Sequence, residues 1–174
     1  MTLYFGDGTN ISTATGLGAN FINSDISVKT DAAGVSVGWG GTSGDAIAID
    51  YAAASSSNKL LILCTVTVGL DFGGRIGAEL YIGGARESGA TAGTEGNRQR
   101  RSSGEHAGHS YDISSCSFNY IKTSPSTNST RYSIRLGQGD NGTRTVYINR
   151  PHNEPNESYQ MRGTSSITIL EFST

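Results

Sequence analysis

The amino-acid sequence predicts an all-β protein of the sandwich or jelly-roll kind, and three observations point there. Glycine fills 24 of 174 positions and proline only 3, with Ser, Thr and Asn between short apolar runs, a composition of many turns and few helices. The apolar runs alternate with period two, as half-buried strands do. Turn clusters, Ser-Pro-Ser, Gly-Asp-Asn-Gly and Pro-His-Asn-Glu-Pro, separate the later runs at even spacing.

Taken in order, residues 1 to about 40 read as an extended arm. Tyr4-Phe-Gly-Asp-Gly-Thr-Asn10 has the composition of a turn, and Thr13-Ala-Thr-Gly-Leu-Gly-Ala19 is too rich in glycine for a helix, since each Gly there costs ~1 kcal/mol relative to Ala. Short strands are expected around 20–28 and 34–38. The division that follows is an anchoring or assembly arm over 1–45 and a β-sandwich domain over 46–174.

From Ile47-Ala-Ile-Asp-Tyr51 onward the pattern is regular. Over 59–70, Leu60, Ile62, Cys64, Val66 and Val68 fall on one side and Leu61, Leu63, Thr65 and Thr67 on the other, which marks a central strand apolar on both faces at its start. Arg75-Ile-Gly-Ala-Glu-Leu-Tyr-Ile82 follows, then a polar stretch over 83–110 without periodicity, read as a long functional loop. Further strands are expected at 113–122, 130–136 and 143–149, and a closing strand at 165–172 places Ile167 and Ile169 on one side and Leu170 and Phe172 on the other.

Charge and composition narrow the function. The 13 basic and 15 acidic residues leave a formal charge of −2, so neither a nucleic-acid backbone nor an anionic membrane is an expected partner. No apolar run reaches the ~18 residues of a membrane span, so no membrane insertion is expected. The start Met1-Thr-Leu-Tyr-Phe-Gly-Asp lacks the basic and apolar parts of a signal peptide, so export by the ordinary route is not expected either. Cys64 and Cys116 fall inside strands and read as buried free thiols.

Motifs with chemistry are few. Gly137-Gln-Gly-Asp-Asn-Gly142 has the letters of a dinucleotide fingerprint, but a strand follows it where the phosphate site requires a helix, so it reads as a hairpin turn. His106 and His109 are weak metal candidates, because they stand three apart around a Gly rather than four apart on a helix. Arg98-Gln-Arg-Arg101 is the densest charge cluster; it reads first as a solvated loop, with Arg98, Arg100 and Arg101 as binding candidates for phosphate, acidic glycans or carboxylates on a neighbouring subunit. Tyr111 and Tyr159 are aromatic candidates for contact with a glycan. No nucleophile stands in a catalytic setting. The reading is therefore a protein that is not an enzyme, with no cofactor.

The run Ser117-Phe-Asn-Tyr-Ile-Lys-Thr-Ser-Pro-Ser-Thr, with Tyr132-Ser-Ile-Arg, Val146-Tyr-Ile-Asn-Arg150 and the ending Arg162-Gly-Thr-Ser-Ser-Ile-Thr-Ile-Leu-Glu-Phe172, resembles small virion proteins and fibre tips of tailed phages, particularly those infecting cyanobacteria. The resemblance covers roughly 56–172. It implies a trimeric jelly roll similar in outline to the complement-head and tumour-necrosis-factor type, with the closing strand at or near the subunit interface. Ile167, Ile169, Leu170 and Phe172 are then shared between core and trimer contact. The implied function is a structural protein of the virion, exposed on the particle as capsid decoration or as a head or tail appendage. Its partners would be itself as a homotrimer and other virion proteins. The alternative is a receptor-binding fibre tip that recognises a host-surface glycan.

Overall fold

The computed structural model describes residues 21–71, 74–93, 96, 98–107, 109–153 and 161–174, together with the backbone of 3–4 and 10–11. Thirteen strands lie among the described residues: β1 (Leu3–Tyr4), β2 (Asn10–Ile11), β3 (Phe21–Lys29), β4 (Ala33–Gly38), β5 (Thr42–Tyr51), β6 (Lys59–Leu70), β7 (Gly74–Ile82), β8 (Ala85–Arg86), β9 (Ser103–Ala107), β10 (Ser114–Thr123), β11 (Thr130–Gln138), β12 (Thr143–Ile148) and β13 (Ser165–Phe172). A short 3₁₀ turn at Ser88–Ala90 is the only helical element among these residues. Tyr159 lies outside the described residues.

The main strands form two antiparallel sheets packed as a β-sandwich. In the six-stranded sheet, β6 pairs with β10 along one edge and with β13 along the opposite edge. Val68 pairs with Ser114 of β10 and also with Ile148 of β12. A residue has only two ladder edges, so β12 succeeds β13 along the same edge of β6. β3 pairs with β13 and β4 with β12, which makes β3 and β4 successive pieces of one outer edge. The other sheet runs β5, β11, β7, with β8 and β9 both on the free edge of β7.

The core lies between the sheets and is built from alternate residues of each strand. Leu60, Ile62, Cys64, Val66, Val68, Ile167 and Ile169 face Ile47, Ile49, Ile76, Leu80, Tyr132, Ile134 and Leu136, and all are buried. Each large apolar side chain so buried contributes roughly 1.5–3 kcal/mol. Cys64 and Cys116 are buried free thiols, each pushed up to about 12 chiefly by burial.

Two buried polar residues fasten the strand ends. Glu171 accepts hydrogen bonds from the Tyr51 hydroxyl (2.7 Å), the Ala54 amide (2.9 Å) and the Asn58 side chain (2.6 Å), tying β13 to the β5–β6 connection. Burial alone would raise its carboxyl, but the bonds from Asn58, Tyr51 and the backbone outweigh that and hold it below the usual range. Asn149 adopts a positive φ of 61°, which Asn tolerates better than most residues. From there it donates to the carbonyls of Lys29 (2.9 Å) and Asp31 (3.0 Å) and accepts from the Ser165 hydroxyl (2.6 Å). It thereby closes the junction between β3 and β4 on one side and β12 and β13 on the other.

The strands expected around 20–28 and 34–38 are β3 and β4, both paired into the six-stranded sheet, and position 45 falls inside β5. Two other expectations meet a different outcome. The stretch 83–110, read as a loop, contributes β8 and β9 to the edge of β7. The turn at 139–142 does not close a hairpin, because β11 and β12 belong to different sheets. Gln138 makes that crossing rigid: its Nε2 donates to the Gly142 carbonyl (2.8 Å) and its Oε1 accepts from the Asp140 amide (2.6 Å).

Candidate functional site

Two surfaces stand out, and strand alternation produces the first. With Leu60, Ile62 and Cys64 turned inward, Leu61, Leu63 and Thr65 of β6 must face out. Leu61 has Leu170 beside it on β13 and Ile121 on β10. The row of Leu63 extends through Thr168 to Ile26 of β3, and the row of Thr65 through Ser166 to Val28. Phe21 and Phe172 close the patch edge to face, with ring centroids 6.0 Å apart. Phe21 and Ile26 are each 57% exposed, Val28 55% and Ile121 64%. This outer face therefore presents an apolar patch across four strands, interrupted by Ser, Thr and Asn.

The closing strand divides its side chains between the two faces. Ile167 and Ile169 are fully buried in the core, whereas Leu170 and Phe172 are half-buried on the outer face. Phe21, Ile26 and Val28 stand in a polar segment preceded by a glycine-rich one, which hides their surface role in the sequence. The visible signal was the alternation in Ile26-Ser-Val28.

The second surface is a cleft of about 660 Å³ beside the β4–β5 turn, where β7, β9 and β11 run together. Its wall includes Trp39, Arg75, Arg98, Arg101, Glu105 and His106. Trp39 is held out by the turn Gly38-Trp39-Gly40-Gly41, in which the Gly41 amide donates to the Gly38 carbonyl (3.0 Å) and Gly40 takes a φ of 72°. It is 64% exposed. This lone tryptophan among glycines was not singled out from the sequence, although its flanking composition signals a displayed side chain.

The arginine cluster splits into different roles. Arg101 forms an ion pair with buried Glu79, which Arg86 also holds at 2.9 Å. Its guanidinium donates further to Gln99 Oε1 (2.7 Å) and the Gly41 carbonyl (3.3 Å). It lies across Gly77 and Gly137, where a Cβ would collide with it. Arg101 is thus a fixed wall of the cleft. Arg100 is half-buried, with its carbonyl accepting from Arg86, and exposed Arg98 lines the cleft.

His106 and His109 part company. His106 lines the cleft in register with Arg75, whereas His109 stacks on Tyr111, with centroids 5.3 Å apart and planes 13° from parallel. Among the described residues no three His, Cys, Asp or Glu side chains converge as a metal centre. Tyr111 is not part of the cleft wall.

No protein-family model matches this chain, and no curated protein matches it either.

Proposed function

We propose that this chain is a structural protein of a tailed-phage virion, a jelly roll that assembles as a homotrimer and sits on the particle as capsid decoration or as a head or tail appendage. The observation that carries the reading is the apolar outer face of β3, β13, β6 and β10. Strands about 4.8 Å apart make its footprint, polar interruptions included, on the order of 400 Å², the scale of the largest and often functional patch on a soluble protein. Closed rotational symmetry covers such a face without leaving a further copy to add.

The strand order supports the jelly roll. With the collinear pairs β3/β4 and β12/β13 each counted as one strand, one sheet runs β3/β4, β12/β13, β6, β10 and the other β5, β11, β7, β8/β9. Every connection then crosses between the sheets except the one from β7 to β8/β9, as in two interleaved Greek keys. The likeness of 56–172 to small virion proteins supplies the biological setting.

Light scattering coupled to size-exclusion chromatography tests the assembly. The purified chain should elute as a trimer at micromolar concentration, and a double Ile26→Asp, Ile121→Asp variant should elute as a folded monomer by circular dichroism. A monomeric wild-type chain overturns the trimer. Antibody against the chain should decorate intact virions of the phage that carries its gene, and particles that remain unlabelled while the antigen stays free in the lysate overturn the virion assignment.

A further inference from the structure

The cleft beside Trp39 plays no part in the proposed assembly, and its chemistry is that of a binding site. At about 660 Å³ it falls in the ~300–1,000 Å³ range of small-molecule pockets. Its contents are specific. Trp39, displayed on a short glycine turn and 64% exposed, offers a broad apolar face on which a ligand can lie. Arg75 also lines the cleft, its side chain 76% exposed and, among the described residues, paired with Asp140 at a long 3.7 Å. Gly104 leaves one stretch of the wall without a side chain of its own or of a neighbour over it.

We propose that this cleft binds an acidic saccharide, a run of sugar rings carrying carboxylates such as a uronic-acid oligomer. The C–H face of a pyranose ring packs on the Trp39 indole, and a ring carboxylate takes paired hydrogen bonds from the Arg75 guanidinium. Glu105 and Gln99, both at the wall, accept from and donate to ring hydroxyls. Glu105 disfavours a doubly charged phosphate more than the singly charged carboxylate of a uronic ring, and the sugar brings it hydroxyl donors as well. Arg101, fixed by Glu79 and Gln99, shapes the wall and adds a positive field without needing to move. The site stands on its own residues, whether the chain decorates a head or forms a tip.

Trp39 is the single tryptophan of the chain, so its fluorescence reports on this cleft alone. Titration of the intact protein with oligogalacturonate and oligomannuronate should give a saturable change in emission for at least one of them. A neutral glucose oligomer and inorganic phosphate should give none. By calorimetry, Arg75→Ala and Trp39→Ala should each weaken binding on the order of tenfold, the loss expected for one charge-assisted contact. Both residues are exposed, so the variants keep their circular dichroism spectrum, and higher salt should weaken the wild-type interaction. Absence of any emission change or heat with either uronate oligomer up to millimolar concentration overturns the proposal. Equal binding of the neutral oligomer overturns the acidic specificity, and binding untouched by both substitutions overturns the site.

Discussion

The two outer faces of the sandwich are built by the same alternation and have opposite chemistry. On the five-stranded sheet the outward positions hold Asp45, Asp50, Glu79, Arg131 and Arg135, linked in pairs such as Arg131–Asp45 and Arg135–Asp45, each at 2.9 Å. Arg135 also lies over the Tyr81 ring, 4.1 Å from its centroid. On the six-stranded sheet the corresponding positions hold Phe21, Ile26, Val28, Leu61, Leu63 and Ile121, and in their rows the one charged side chain is that of Lys59. Both inner faces are equally apolar, so alternation alone tells only which side is the core. What occupies the other side tells what covers it: paired charges suit water, and half-exposed Ile, Leu and Phe suit another protein surface.

The charged face should be the one whose stability depends on internal partners, and Glu79 gives the largest effect. It is the buried member of the outer face, covered by the segment carrying Arg101 and by Arg86. Glu79→Ala strips the partner from the largely buried Arg101 guanidinium and should cost about 3–5 kcal/mol, as breaking a buried ion pair does. Urea denaturation of the variant and the wild type measures it. A loss under about 1 kcal/mol would mean the segment over this sheet is held by something else.

Glu171 sharpens the contrast from the other side, because it belongs to the apolar sheet yet points inward. Its carboxyl is held below the usual value of 4.5 in the folded chain. A group whose folded value is depressed contributes stability that is complete above its unfolded value and is lost as pH falls through the folded one. Glu171→Gln should therefore cost about 1.5–3 kcal/mol at neutral pH, the worth of hydrogen bonds to a charged group. Melting curves from pH 7 down to about 3 should show the gap between variant and wild type closing below the ordinary carboxylate range. A gap that stays constant with pH would show that the charge of Glu171 contributes nothing.

Much of this fold was legible in the residues, and the parts that were not share a cause. The expected strands at 59–70, 130–136, 143–149 and 165–172 correspond to β6, β11, β12 and β13, because their apolar alternation is strong and Gly, Pro and Asn bound them. β9, Ser-Gly-Glu-His-Ala, has no apolar period at all: its strand comes from backbone pairing to β7, which requires nothing of the side chains. β3 was visible only as short alternation inside a polar segment, and its outer position on the sheet explains why it needs no more. Of the arginine cluster, the sequence located the charge but not its division between Arg101, committed to Glu79, and Arg98, at the cleft. That division depends on a contact across 22 positions, which spacing does not display.

The smallest expected effect is the sharpest test of the difference between the faces. Asp45 is the hub of the charged face, accepting from Arg131, Arg135 and the Ser133 hydroxyl, each at 2.9 Å. Burial would raise its carboxyl, and the bonds from Arg131, Arg135 and Ser133 bring it below the usual range instead. Because the hub is partly open to solvent, Asp45→Asn should cost on the order of 1 kcal/mol or less, shrinking further as salt rises. It should leave the mass measured by light scattering unchanged. Leu63→Ser, one outward position on the opposite sheet, should disturb the isolated fold as little but shift the proposed trimer toward monomers, because its side chain is half-exposed in the free chain and the proposed contact is what would cover it. If Asp45→Asn lowers the mass and Leu63→Ser does not, the faces have been assigned the wrong way round, and the charged sheet is the one that meets the partner.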